Sequence, residues 1–210
     1  MTETQDIRTF WEDFYETVTK PTSGTPSAVL EHYAKDRVPG RALDIGCARG
    51  DDALWLAGLG WSVTGVDVSQ AALDIAAGRA AELGLADRVT FERHTLPDTF
   101  PEGTFDLVSA LFFHNMVEFD RARVLELAAR AVALGGLLVI AAHNTAPVWR
   151  EAKWDDHPAF PTPEEDRAAA GRSGYRWREI KVGLTGREVT GPEGQRDTVQ
   201  DGHVILERLE

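Results

Sequence analysis

Gly40-Arg41-Ala42-Leu43-Asp44-Ile45-Gly46-Cys47-Ala48-Arg49-Gly50-Asp51 is the stretch on which the fold turns. Its first half, Arg41 to Gly46, is a short apolar run that reads as a strand. Its second half sets small residues at 46, 48 and 50 and then enters Asp52, Ala53, Leu54, Leu56 and Ala57, a helical pattern. Small residues let the backbone turn sharply and approach a ligand closely. The helix start behind them offers free N–H groups and a positive dipole end to a carboxylate or a phosphate. The next strand, Ser62 to Asp67, closes on an acid placed to accept from ribose hydroxyls. The pairing of small-residue turn and acid predicts a cofactor that contains a nucleoside.

Spacing narrows the choice. A dinucleotide fingerprint puts glycine at the first, third and sixth positions. Counted from Gly46, those later positions hold Ala48 and Asp51, and an aspartate would repel a pyrophosphate. A nicotinamide-dependent oxidoreductase fits poorly for that reason. No Gly-Lys-Ser/Thr follows, so the turn is not a P-loop. Asp44, just before the turn, suits a ligand with a positive group such as a sulfonium or an ammonium.

Outward from this turn, helices and apolar strands alternate. Ser69 caps a helix continuing from Ala71 to Leu83; Val89 to Arg93 is a third strand and Phe105 to Phe112 a fourth. Asp120 opens a helix expected to stop at Gly135-Gly136, and Leu137 to Ala142 is a fifth strand. Nearly continuous apolar strands separated by helices predict a parallel sheet covered on both faces. Residues 1–35 read as helical, with Phe10, Trp11, Phe14 and Tyr15 close together. Thr162-Pro163-Glu164-Glu165 is a helix start, and Asp166 continues its acidic first turn. Trp177, Ile180, Val182 and Leu184, then Val204, Ile205 and Leu206, form two strands around the turn Gly191-Pro192-Glu193-Gly194. The fold class is therefore α/β: a doubly wound, mostly parallel sheet closed by a C-terminal antiparallel hairpin. Residues 1–210 are expected to form one domain: a helical lid (1–35), a cofactor-binding core (40–145), and a substrate-side loop, helix and hairpin (146–210).

The 210 residues are 43% hydrophobic and 27% charged, enough to bury a core without a disulfide or structural metal. The formal charge of -12 argues against a nucleic acid or an anionic membrane surface as partner. Cys47 is the single cysteine, which suits a reducing, cytoplasmic setting, and no N-terminal targeting segment or membrane span is expected.

Asp44-x-Gly46-x-Ala48-x-Gly50 followed by Val66-Asp67-Val68 resembles the class I S-adenosylmethionine (SAM)-dependent methyltransferases. The run from Gly40 to Ser69 looks most like the small bacterial methyltransferases of the tellurite-resistance and thiopurine S-methyltransferase type. Further matches lie in Phe105-Asp-Leu-Val-Ser-Ala110, Phe10-Trp11…Tyr15, Phe160-Pro-Thr-Pro-Glu164 and Gly191-Pro-Glu-Gly194. By that resemblance SAM is the cofactor and S-adenosylhomocysteine (SAH) the product. Asp44, Gly46, Cys47, Ala48 and Gly50 would hold its methionine end, with Ala110 and Leu111 beside it. Asp67 would take the ribose, Val68 would pack on adenine, and His94, Thr95 and Leu96 would contact the base. Two departures stand out: Ala48 replaces the family's usual glycine, and Thr95 stands where an aspartate for the adenine amino group is expected.

The acceptor is expected to be a small molecule: a thiol, a chalcogen or a hydroxyl compound. A thiolate, selenolate or tellurium oxyanion would need no base, whereas an alcohol or phenol would. His114, beyond the fourth strand, is the candidate base, with a substrate contact or a structural role as the other readings. His143 and Asn144 occupy the equivalent place after the fifth strand. Trp11 and Tyr15 form a second aromatic row beside the Phe10, Phe14, Val18 stripe, as a lid would, although a packed helix also explains the stripe. Cys47 has acidic neighbours that raise its pKa, so it reads as a packing residue rather than a nucleophile. Asp155-Asp156-His157 reads as solvated loop, and no metal is expected. A monomer or a homodimer is equally compatible, and so is a protein of this fold that binds SAM without transferring methyl.

Overall fold

The computed structural model describes residues 6–114, 119–150 and 160–210. Seven strands form one sheet: β1 (Arg41–Ile45), β2 (Ser62–Asp67), β3 (Val89–Arg93), β4 (Phe105–Leu111), β5 (Val132–His143), β6 (Trp177–Thr190) and β7 (Arg196–Arg208). Their order is β3-β2-β1-β4-β5-β7-β6. The first five are parallel, and β7 runs antiparallel between β5 and β6. The helices are α1 (Ile7–Thr17), α2 (Ala28–Ala34), α3 (Asp51–Gly58), α4 (Gln70–Glu82), α5 (Arg121–Arg130) and α6 (Pro163–Gly171). The doubly wound sheet and its antiparallel hairpin are those expected from the sequence.

Alternate residues of each central strand serve opposite faces, and both faces are buried. Leu43, Ile45, Val108, Leu138 and Ile140 pack under α5 and α6, together with Val204 and Leu206. Ala42, Leu107, Leu137, Val139 and Ile205 pack under α2 and α3. This two-sided burial is why the strands read as continuous apolar runs. At about 25 cal/mol per Å² of apolar surface removed from water, this contact is the main source of stability.

Three boundaries differ from the expectation. The N-terminal region is not helical throughout, because Pro21, Gly24 and Pro26 interrupt the segment between two helices. Helix α5 ends at Arg130, before Gly135-Gly136, because Val132 is already buried and paired with Phe105. The glycines instead lie inside β5, where the ladder to β4 shifts register and Gly135 takes φ +75°. The hairpin is longer than expected: β6 and β7 stay paired from Trp177↔Arg208 to Thr190↔Arg196, while β7 meets β5 only from Asp201 to Glu207. An arm of the hairpin therefore projects past the carboxyl ends of β4 and β5.

Candidate functional site

Sheet order reverses between β1 and β4, and ligands in open α/β sheets bind at the carboxyl ends of such strands. A cavity of about 280 Å³ lies there. Its floor is Gly46 and Ala48 after β1, Asp67 and Val68 after β2, His94, Thr95 and Leu96 after β3, and Leu111 to His114 after β4. Ile7, Trp11 and Tyr15 of α1 form the roof. A second recess, about 780 Å³, continues past Tyr15, Gly46, Ala48 and Leu111 to Asp44, Cys47, Asp52 and Ser27.

The turn itself is held by its backbone. The amides of Gly46 and Cys47 both donate to the Val66 carbonyl, at 2.8 and 3.0 Å, and Gly50 donates to the Cys47 carbonyl at 2.8 Å. Gly46 adopts φ +68°, and a Cβ there would lie 2.5 Å from the Phe113 ring. Ala48 takes φ +50°, a conformation that L residues with a Cβ rarely adopt, and its amide donates to Asp67 Oδ2 at 2.9 Å. Arg79 of α4 clamps the loop from outside: it pairs with Asp51 at 2.6 Å and donates to the Arg49 carbonyl.

Asp67 accepts one amide on each oxygen, from Ala48 and from Ser69 at 3.0 Å. Each oxygen keeps a lone pair for a ligand hydroxyl. Burial pushes its pKa up, and the amide hydrogen bonds only partly offset this. Asp44 is buried and accepts from Ser109 Oγ at 2.8 Å; burial and the charge of Asp52 push it well above the usual carboxylate range. Asp52 is likewise raised by burial, although it accepts from the amide and hydroxyl of Ser27 at 2.6 and 2.8 Å. Three partly desolvated carboxylates around one turn favour a cationic guest. Burial also raises the Cys47 thiol, with Asp67 and Asp44 adding to the effect, so it stays protonated.

Helix α1 buries none of its own residues fully; its aromatic side chains pack on one another and on the cavity. Polar contacts tie it down. Glu12 accepts from the amides of Gln70 and Ala71 at 2.7 and 3.3 Å, which caps the first turn of α4 from another helix. Arg8 donates to Thr95 Oγ1 at 3.2 Å. Burial, then the charge of Asp67, raises the Tyr15 hydroxyl, which therefore stays neutral.

Of the residues singled out in the sequence, Gly46, Ala48, Asp67, Val68, Thr95, Leu96, Trp11, Tyr15 and His114 line the first cavity, and Asp44 and Cys47 the recess. Ala110 is wholly buried in the core behind the site. Gly50 takes φ +82° and packs against Ala76 and Phe91, so its role is to let α3 start there. Asn144 donates its amide to the Gln200 carbonyl. His143 lies beyond the first cavity wall, its ring stacked on His114 at 5.2 Å between centroids. The Asp155–His157 run lies outside the described residues. Phe113, Asp52, Asp201 and Arg187 escaped sequence reading. Asp52 carried a signal, as an acid in the first turn of α3; the others are brought in from other strands and loops.

Residues 42–136 match the family model for a methyltransferase domain. The chain is 33% identical over 134 residues to 27-O-demethylrifamycin SV methyltransferase of Amycolatopsis mediterranei, covering 62% of this chain and 48% of that protein. It is 31% identical over 120 residues to 2-heptyl-1-hydroxyquinolin-4(1H)-one methyltransferase of Mycobacteroides abscessus, covering 56% and 52%. The chain thus spans about half the length of these curated relatives. Among solved structures, TehB from Haemophilus influenzae superposes with a TM-score of 0.68 at 17% identity, over 93% of this chain and 66% of that one. At that identity the likeness is one of fold.

Proposed function

We propose, because this chain carries the domain of the class I SAM-dependent methyltransferases, that it transfers a methyl group from SAM to a small-molecule acceptor: a thiol, a chalcogen or a hydroxyl compound. The observation that carries this reading is the buried Asp67 beside a positive-φ turn. It accepts one backbone amide per oxygen and still faces the cavity.

The residues present suit SAM. Asp67 offers acceptor positions for ribose hydroxyls, and Val68 and Leu96 offer apolar surface for the base. Asp44 and Asp52 face the recess with carboxyl groups that an ammonium or sulfonium would favour in their ionised form. A side chain at position 46 would close the space against Phe113. Thr95 already accepts from Arg8, so in place of an adenine acceptor it anchors α1. When bound, SAM supplies an electrophilic methyl on a positively charged sulfur. The protein's part is to align and to exclude water, and alignment alone is worth on the order of 7–11 kcal/mol. Trp11 and Tyr15 roof the cavity, and Leu111, Phe112 and Phe113 wall it with apolar surface. The aromatic walls and the net charge of -12 both favour a small organic acceptor over a nucleic acid.

Calorimetry with SAH tests the reading. The wild type should give a saturable heat, and Asp67→Ala should weaken binding by roughly 1–3 kcal/mol. No heat with SAH, or an unchanged affinity in the variant, would overturn the ribose assignment. Labelled methyl from SAM, offered with a set of thiols and phenols, then reports transfer.

A further inference from the structure

Behind the wall formed by His114 lies another chamber, about 270 Å³, between the loop after β5 and the projecting hairpin arm. Trp149, Phe160, Val189 and Val199 give it apolar surface, and His143, Arg150 and Arg187 are its titratable and charged groups. His143 is a party wall between the two spaces. Its ring lies 4.6 Å from Phe112 and 5.2 Å from His114, centroid to centroid, and both of those residues line the first cavity.

The two histidines are wired differently. His114 Nε2 accepts the backbone amide of His143 at 2.9 Å, so its lone pair is committed. His143 Nδ1 lies 3.0 Å from Asp201 Oδ1, while Arg187 Nε donates to Asp201 Oδ2 at 2.7 Å. Burial alone would raise Asp201, but its bonds to His143 and Arg187 outweigh burial and hold it at about 2. An ionised carboxylate only accepts, so Nδ1 of His143 carries a proton, and in the neutral ring Nε2 then holds the lone pair. Among the described residues Nε2 of His143 has no hydrogen-bond partner. The titratable and charged groups facing this pair are His114 from the end of β4, Arg150 after β5, and Arg187, Asp201 and His203 from the hairpin.

We propose that the acceptor is a hydroxyl compound, a phenol or enol seated in this hairpin-side chamber, and that His143, oriented by Asp201, removes its proton. The inference rests on the methyl-transfer reading above. As the acceptor oxygen bonds to the methyl carbon, the carbon–sulfur bond breaks and its pair stays on sulfur. The O–H bond breaks and its proton goes to Nε2 of His143. Asp201 meets the imidazolium charge until the proton leaves to water. An acidic thiol, already ionised, needs none of this. Asp201 is a positioning residue in this scheme.

The test uses His143→Gln and Asp201→Asn in the whole chain, with phenol, which is protonated at neutral pH, and thiophenol as acceptors. Both variants should bind SAH as the wild type does. Transfer to phenol should fall on the order of 100-fold or more in His143→Gln, and transfer to thiophenol far less. Asp201→Asn should shift the pH profile of phenol transfer. Nitrogen-15 spectra of the imidazoles, in the SAH complex, should show an unprotonated Nε2 at His143 that Asp201→Asn perturbs. Equal losses for both acceptors, phenol transfer untouched by His143→Gln, or a proton on Nε2 in the wild type would each overturn the proposal. SAH binding with those results would leave the methyl-transfer reading standing; a wild type that binds no SAH would sink both.

Discussion

Ala48 and Phe112 are the non-glycine residues at positive φ among the described residues, at +50° and +51°, and both line the first cavity. Side chains in the left-handed region cost on the order of 1–2 kcal/mol. Ala48→Gly should therefore raise the stability of the ligand-free protein by about 0.5–1 kcal/mol, after the greater chain entropy of glycine is subtracted. Chemical denaturation of the two proteins checks this; a less stable glycine variant would mean that the turn is not strained. Asp44, Asp52 and Asp67 give a second prediction. Each is raised above its ordinary 3.8 by burial, so the folded protein holds these protons more tightly than the unfolded chain. Their contribution to stability is present below that value and is lost as pH rises through the folded pKa. Asp201, held at about 2, acts in the opposite sense, its contribution being lost only as pH falls through that value. Melting temperatures from neutral pH down to about 5 should climb less in Asp44→Asn than in the wild type; parallel curves would refute the assignment. Gly46 was legible in the sequence because the turn takes a positive φ there, and Asp67 because two backbone amides need an acceptor at that place. The His143–Asp201 pair was not, since its partners lie 58 positions apart and meet only when β5 and β7 pair in register.

Helix α6 shows the same division one level up. Thr162 and Glu165 form a full capping box with Pro163 behind the cap, as the local pattern predicts. Asp166 was expected to be one more acid in the helix's first turn. It is buried instead, and Arg121 of α5 grips both of its oxygens, at 3.0 and 2.8 Å. The same guanidinium donates to the Phe113 carbonyl and so braces the wall of the cavity. Removing one member of a buried pair leaves the other charge uncompensated. Asp166→Ala should cost about 3–5 kcal/mol, which for a chain of this size is a fall of roughly 6–20 °C in melting temperature. A loss under 1 kcal/mol would mean that solvent reaches the pair. Nothing in the local sequence tells Asp166 from Glu164, because only the packing of α5 beside α6 decides which acid turns inward.

At the scale of the molecule, the sheet runs from a well-covered centre to a lightly covered rim. β1 and β4 are hydrogen-bonded on both sides and buried on both faces, whereas β6 pairs only with β7 and leaves Ile180 and Leu184 exposed. Hydrogen–deuterium exchange should be slowest at Leu43, Val108 and Ile140 and fastest, among the strands, along β6. Slow exchange throughout β6 would show that another surface covers that edge. The sequence made the parallel centre plain through its apolar runs. It did not show how far the hairpin reaches, because β6 is too polar along both faces to read as a strand of such length.

The insertion of β7 between β5 and β6 also sets an order of assembly. β6 emerges from the ribosome first, yet it has nothing to dock against until its downstream neighbour is made. Every described wall of the first cavity, by contrast, is synthesised by His114. A nascent chain would thus hold every described lining residue of the first cavity well before it holds those that the hairpin arm adds to the second chamber.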